Sequence, residues 1–223
     1  MVRIPFALSP LGAKPKVDPA ELAALAALPR PRRLFVVGGP TLYWELPVPE
    51  MIASLRRLIG ITETKGGSVL AIGSPRTPQP LLDAIQKELA AARVPTFMAP
   101  REGSPSYRAM IEGVDELYVT ADSVAMMADA VMTGKPVGIV PIAKSALGRA
   151  VMAIADRVRP NKRLHPRDLR FFWKSLDEHG FGGTIDQPRA SDPPNLTADI
   201  AARVRRLLGL PAQRATAGRG NAR

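Results

Sequence analysis

Three short polar stretches carry most of the chemistry this chain offers. They are Gly38-Gly39-Pro40-Thr41, Ser74-Pro75-Arg76-Thr77 and Thr120-Ala121-Asp122-Ser123. Gly38 and Gly39 permit close approach of an anion to the backbone, and Thr41 adds a hydroxyl. The string is neither G-x-G-x-x-G nor a P-loop, which would end in Gly-Lys-Ser/Thr, so a plain glycine turn stands beside a phosphate loop as a reading. Ser74, Arg76 and Thr77 form a compact anion-binding set, because a guanidinium can grip a phosphate through two N–H groups. The alternative there is an ordinary turn with a solvated arginine. Asp122 or Ser123 can cap the helix that follows by accepting an unpartnered backbone N–H. Ser123, with the free amides of that helix start, could also receive a phosphate. Asp129 lies about two turns into the same helix. A carboxylate there could accept hydrogen bonds from ribose hydroxyls if the helix points its N-terminus at a nucleotide. A solvated helix face is the plain alternative.

Other chemistries find little support. There is no cysteine, so neither disulfides nor thiolate catalysis enter. His165 and His179 are isolated and lack metal-ligand spacing, so no metal site is expected. No Ser-His-Asp order or paired-carboxylate motif stands out, and no catalytic residue is assigned. Lys144 and Ser145, near a helix start, are a minor anion candidate. Phe171, Phe172 and Trp173 read as core. With aromatic residues at 5%, a base-stacking surface for single-stranded nucleic acid is disfavoured. The net charge of +11 favours anionic partners, with solvated arginine-rich faces as the plain reading. No apolar run reaches the roughly 20 residues that span a bilayer, and the N-terminus lacks an apolar signal core. A cytoplasmic protein, at most peripheral at a membrane, is therefore expected.

The elements that must hold these loops follow from hydrophobic periodicity. Apolar runs at 34–37, 68–73, 94–98, 117–120 and 137–140 read as strands. Between them fall amphipathic segments at 49–59, 80–92, 107–112 and the helix after Ser123. Gly134 and Pro136 stop that last helix. Further helices are expected at 143–158, 167–178 and 196–210. Strand-helix alternation predicts an α/β domain with a doubly wound parallel sheet. Ligands of such sheets bind beyond the carboxyl ends of the strands, where all three polar loops would converge. Residues 1–33 read as an extended lead-in, broken by Pro5, Pro10 and Pro15, with a short helix capped by Asp18. Residues 34–210 read as the domain, and 211–223 as a disordered basic tail.

At these residues the chain resembles a known family. VTADSVAMMADAVMTGKPVGIVP is similar to the TGDSVSMVSEA-ATGKPV segment of the Elm-type mitochondrial-fission family. FVVGGPT resembles its Gly-Gly-Ser/Thr loop, GSPRTP its S-R-R-T-P stretch, and RFFWKSLDEHG its late helix. These motifs keep the family's order, and the similarity covers residues 30–185. The resemblance implies the C-terminal, Rossmann-like half of a GT-B glycosyltransferase, with a nucleotide-diphosphate-sugar as ligand, sugar transfer as the possible reaction and no separate cofactor. The Gly38–Thr41 loop, Ser74, Arg76, Thr77 and Ser123 would face the diphosphate. Asp129 stands where those enzymes place a ribose-binding Glu, one methylene shorter, and Ala121 stands where Gly is usual. The family carries a whole domain before the Gly-Gly loop, and here only a lead-in precedes it. A partner chain completing the cleft is one expectation. A non-enzymatic scaffold of the same fold, or a basic binder of nucleic acid or an anionic membrane surface through 157–174 and the tail, are the rivals. The epimerase label used for this family is not supported by a Rossmann fingerprint or a Tyr-x-x-x-Lys pair.

Overall fold

Five of the apolar runs pair into one parallel sheet in the computed structural model. Its strands are β1 (Arg32–Val37), β3 (Ser68–Gly73), β4 (Thr96–Met98), β5 (Glu116–Thr120) and β6 (Val137–Val140), in the order β4-β3-β1-β5-β6. The described residues are 17–100, 105–158, 168–192 and 196–209. Pro5, Pro10, Pro15, His165 with the rest of 159–167, and the tail 211–223 lie outside them. The chain divides into one unit, Met1–Pro193, and another, Pro194–Arg223.

The order reverses beside β1. From β1 the chain passes through α2 (Val48–Lys65), β3 and α3 (Gln79–Ala90) to β4, and then returns through α4 (Tyr107–Gly113) to β5 on the other side of β1. α5 (Val124–Met132) connects β5 to β6, which pair in parallel from Leu117 with Val137 to Thr120 with Val140. β1 is buried along its whole length, as a strand covered on both faces must be. Phe35, Val37, Val69 and Ala71 join Met51, Leu55, Leu58, Leu81 and Ile85 of α2 and α3 in the main core. The doubly wound α/β expectation holds.

Several boundaries moved for physical reasons. β1 starts at Arg32 rather than Leu34, with Arg32 7% and Arg33 2% exposed. Arg32 donates to the carbonyls of Ala26 (2.9 Å), Leu28 (3.0 Å) and Gly113 (3.1 Å), the ends of α1 (Pro19–Ala26) and α4. Arg33 donates to Glu116 (3.1 Å) and to the Gly66 carbonyl (2.8 Å). Buried cations persist only with such partners. The capped lead-in helix forms, with Asp18 accepting from the Ala20 amide at 2.9 Å, and its Leu25 is fully buried. An element absent from the periodicity also appears: β2 (Trp44–Glu45) pairs antiparallel with β7 (Ala143–Lys144). The next helix, α6 (Ala146–Val158), therefore starts later than expected. α7 spans Arg170–Glu178 and α8 spans Leu196–Leu207. The free edge of β6 is covered by residues 183–189, through Ile139 to Gly183 (2.8 Å) and Val137 to Arg189 (3.0 Å), which removes an exposed strand edge.

Candidate functional site

The three polar loops meet where the strand order reverses, at the carboxyl ends of β1, β3 and β5. Thr120 closes β5, and its hydroxyl oxygen accepts the Gly38 amide at 2.8 Å. The same hydroxyl donates to Asp122 Oδ1 at 2.6 Å, while Asp122 Oδ2 accepts the Gly39 amide at 2.9 Å. The anion that approaches Gly38 and Gly39 is thus the chain's own carboxylate. A Cβ on Gly38 would lie 2.1 Å from Asp122 Oδ2, and one on Gly39 would lie 2.5 Å from the Arg76 carbonyl oxygen. Both glycines are required by this close approach.

Asp122 is 5% exposed. Burial pushes its pKa up, against the opposing pull of Thr120, the Gly39 amide and Arg76. The Arg76 guanidinium, 54% exposed, lies 3.8 Å from Asp122 Oδ2. It therefore borders a buried negative charge on one side and solvent on the other. Of the two cap candidates Ser123 is the N-cap, accepting from the Met126 amide at 3.4 Å. Asp122 is not; it ties the β5–α5 turn to the β1 loop.

Thr77 is also internal. It is 1% exposed, and its oxygen accepts the Ser74 amide at 2.8 Å and lies 2.6 Å from the Gly38 carbonyl to which it donates. Ser74 Oγ accepts the Arg76 amide at 3.2 Å, which shapes the 74–77 turn. The Thr41 amide donates to the Trp44 carbonyl at 2.8 Å, but the Thr41 hydroxyl oxygen is buried without a hydrogen-bond partner. Among the predicted residues Gly38, Gly39, Thr77 and Asp122 form a bonded floor, while Ser74, Arg76 and Ser123 keep access to solvent.

Beside this floor lies a cleft of about 330 Å³, walled by Val36, Ile72, Pro75, Pro105, Tyr107 and Met126, with Ser74 on its rim. Its size falls at the lower end of small-molecule sites. Asp129 does not line it. Its Oδ2 lies 3.5 Å from the Tyr107 hydroxyl, so it reaches the cleft through that ring. Burial first, and Asp129 second, push the Tyr107 phenol well above its ordinary pKa, so it remains a protonated donor. A second cavity of about 470 Å³, at the β6 edge, is lined by Arg57, Ile139, Gly183, Asp186 and Arg189 and holds none of the predicted residues.

Sequence reasoning missed three side chains that shape the site, Trp173, Trp44 and Tyr107. Trp173, read as core, donates its indole N–H to the Ala121 carbonyl at 2.9 Å. Its ring meets Trp44 edge-on at 4.7 Å between centroids, which clamps the 120–123 turn. Tyr107 gave no signal because a lone Tyr at a helix start is unremarkable by pattern. Lys135 Nζ donates to the carbonyls of Ile111 and Glu112, both at 2.8 Å. The Thr-Gly-Lys-Pro string is therefore a latch on the end of α4. Gly134 supplies the left-handed turn there, with φ +72°. Ser145, the minor anion candidate, accepts the Gly148 amide at 3.0 Å and donates to Leu42 at 2.9 Å. His179 is exposed, with Nδ1 2.7 Å from the Ser175 carbonyl oxygen. Among the described residues no cluster of His, Cys, Asp or Glu is placed to hold a metal ion.

Fold and site together define a doubly wound α/β domain with a cleft at its topological switch point. Residues 4–208 match the family described as mitochondrial fission ELM1, and the chain belongs to that family. Among solved structures it is similar to a proposed UDP-N-acetylglucosamine 2-epimerase from Listeria monocytogenes, at 13% identity and a TM-score of 0.41. That similarity covers 89% of this chain and 50% of the other, so the chain spans half the length of that protein. It is also similar to the MAR1 ribonuclease of Caenorhabditis elegans, at 15% identity and a TM-score of 0.34, over 74% of this chain and 96% of that one. No curated protein matches the chain. Among the described residues no helix is long and apolar enough to cross a membrane.

Proposed function

We propose that the switch-point cleft binds a nucleotide-diphosphate-sugar, and that the chain is the donor-binding half of a glycosyltransferase-like protein. One juxtaposition carries this reading: a half-exposed guanidinium, Arg76, stands beside the α5 N-terminus and an apolar cleft backed by a tyrosine. The cleft's volume of about 330 Å³ suits a nucleoside portion, with the sugar projecting beyond it. Ser74, Arg76, Ser123 and the first amides of α5 take the diphosphate, since positive charge and helix amides both favour an anion there. The Tyr107–Asp129 pair takes the ribose. Gly38, Gly39, Thr77 and Asp122 hold the floor in shape.

In a transfer reaction, Arg76 and the α5 amides would stabilise the departing nucleotide diphosphate as its charge develops. The acceptor contacts and the base would come from a partner domain or chain.

The chain's two tryptophans, Trp44 and Trp173, adjoin the 120–123 turn and provide an intrinsic fluorescence signal. Titration with nucleoside diphosphates and their sugar conjugates is expected to give saturable binding. Arg76→Ala should weaken it about tenfold or more, the scale of one lost charge-assisted contact. Absence of binding by every such nucleotide at millimolar concentration would sink the reading. Unchanged affinity in Arg76→Ala and Asp129→Ala would remove the site assignment.

A further inference from the structure

The helix that precedes the sheet reaches the wall of the switch-point cleft. Glu21, in the first turn of α1, is half-buried. Its Oε1 accepts the Ser106 amide at 3.1 Å and its Oε2 accepts from the Ser106 hydroxyl at 2.6 Å, across 85 residues of sequence. Ser106 is the N-cap of α4, and its Oγ in turn accepts the Ala109 amide at 3.3 Å. A carboxylate can only accept. It therefore takes the hydroxyl proton and leaves the Ser106 oxygen turned to the helix amide, the state the cap needs. The next residue is Tyr107, which walls the cleft beside Ser106 and whose hydroxyl lies 3.5 Å from Asp129 Oδ2.

α1 is held where Glu21 needs it. Leu25 is fully buried, and a Cβ on Gly113 would lie 2.6 Å from its Cδ1, so the end of α4 must be bare for α1 to lie on it. Arg32 donates to the carbonyls of Ala26 and Gly113 and ties the C-terminal ends of the two helices. Glu21 ties the N-terminal ends, and this second clasp adjoins the cleft, because Ser106 lines it.

We propose that Glu21 is a positioning residue of the ligand site: through Ser106 it fixes the start of α4, and so the place from which the Tyr107 ring and hydroxyl meet the nucleoside. The inference rests on the nucleotide reading of the cleft. It makes α1 part of the site rather than a lead-in to it. A clasp with a purely structural role would lower stability when cut, but its effect on binding would not depend on Tyr107.

The full chain should be titrated with uridine and guanosine diphosphates, read by tryptophan fluorescence. Glu21→Ala should raise Kd about tenfold, the scale of one hydrogen bond lost from the nucleoside subsite. Glu21→Gln keeps one acceptor for Ser106 and should fall between Glu21→Ala and the native protein. In a Tyr107→Leu background, Glu21→Ala should change Kd less than about twofold, since the group it positions is gone. Lys135→Met, which loosens the far end of α4, shows the effect of stability alone. Burial holds the native Tyr107 phenol up. Without nucleotide, Glu21→Ala should therefore let one more tyrosine ionise toward the ordinary range in an alkaline absorbance titration, a change that Tyr107→Leu abolishes. Native affinity in Glu21→Ala, the same loss with and without Tyr107, or an equal loss in Lys135→Met would overturn the inference while nucleotide binding stands. An unchanged tyrosine titration would overturn the positioning itself. A native protein that binds neither diphosphate, with the tyrosine change intact, would overturn the nucleotide reading and leave the link from Glu21 to Tyr107 supported.

Discussion

Asp122 is where the geometry makes its most exposed prediction. Replacing it with alanine orphans two donors, the Gly39 amide and the Thr120 hydroxyl, that now bond to the carboxylate at 2.9 Å and 2.6 Å. A buried donor left without a partner costs about 1–3 kcal/mol. Against this, the substitution removes a buried charge whose desolvation already pushes its pKa up. The net cost should be about 2 kcal/mol. For a chain of this size that is a drop in Tm of about 4–8 °C. The sign of the pH dependence follows from the raised pKa. The folded state holds the Asp122 proton more tightly than the unfolded chain does. Its contribution to stability is therefore full below the ordinary value of 3.8 and declines as pH rises through the raised folded value. The gap in stability between the native protein and Asp122→Ala should be wider in acid than at neutral pH. Denaturant melts of both proteins across that range test it, with Asp122→Asn as the variant that keeps one acceptor. An Asp122→Ala protein as stable as the native one, or a gap that widens toward neutral pH, would refute the reasoning.

The other predictions concern the same neighbourhood. Gly39→Ala drives a Cβ to 2.5 Å from the Arg76 carbonyl oxygen and should cost about 1–3 kcal/mol or more in a denaturant melt, because backbone must shift. Gly38→Ala clashes instead with the Asp122 carboxylate at 2.1 Å, so combining it with Asp122→Ala should cost less than the sum of the two, a coupling of about 1 kcal/mol in a double-mutant cycle. Trp173→Phe keeps the ring but loses the bond to Ala121; it should cost about 1 kcal/mol and weaken nucleotide binding by loosening the turn. Lys135→Met leaves the carbonyls of Ile111 and Glu112 without their donor and should cost about 1–2 kcal/mol with nucleotide affinity intact.

The strand-helix alternation was legible because each element declares itself locally. Continuous apolar runs mark strands buried on both faces, and apolar residues at helical spacing mark the helices between them. Glycine and proline placed the C-terminal end of α5, and Asp18 and Ser123 cap as their types allow. The carboxyl edge as the place where the three polar loops gather followed from the sheet class alone.

The assignments within that edge did not follow, because they depend on partners far away in the chain. Gly39 and Asp122 are 83 residues apart, and only the return of the chain to β5 beside β1 brings the carboxylate to the paired glycines. Pattern alone reads such glycines as a seat for a ligand anion; the tertiary structure fills the seat from within and leaves Arg76 facing solvent. The same holds for Trp44–Glu45 with Ala143–Lys144, whose two-residue strands are too short to show any period. It holds for Arg32 and Arg33, charged residues that join a buried strand because helix-end carbonyls and Glu116 converge on them. Local sequence determined what the elements are. The long-range order of the sheet decided which polar groups satisfy one another, and so which remain to meet a ligand.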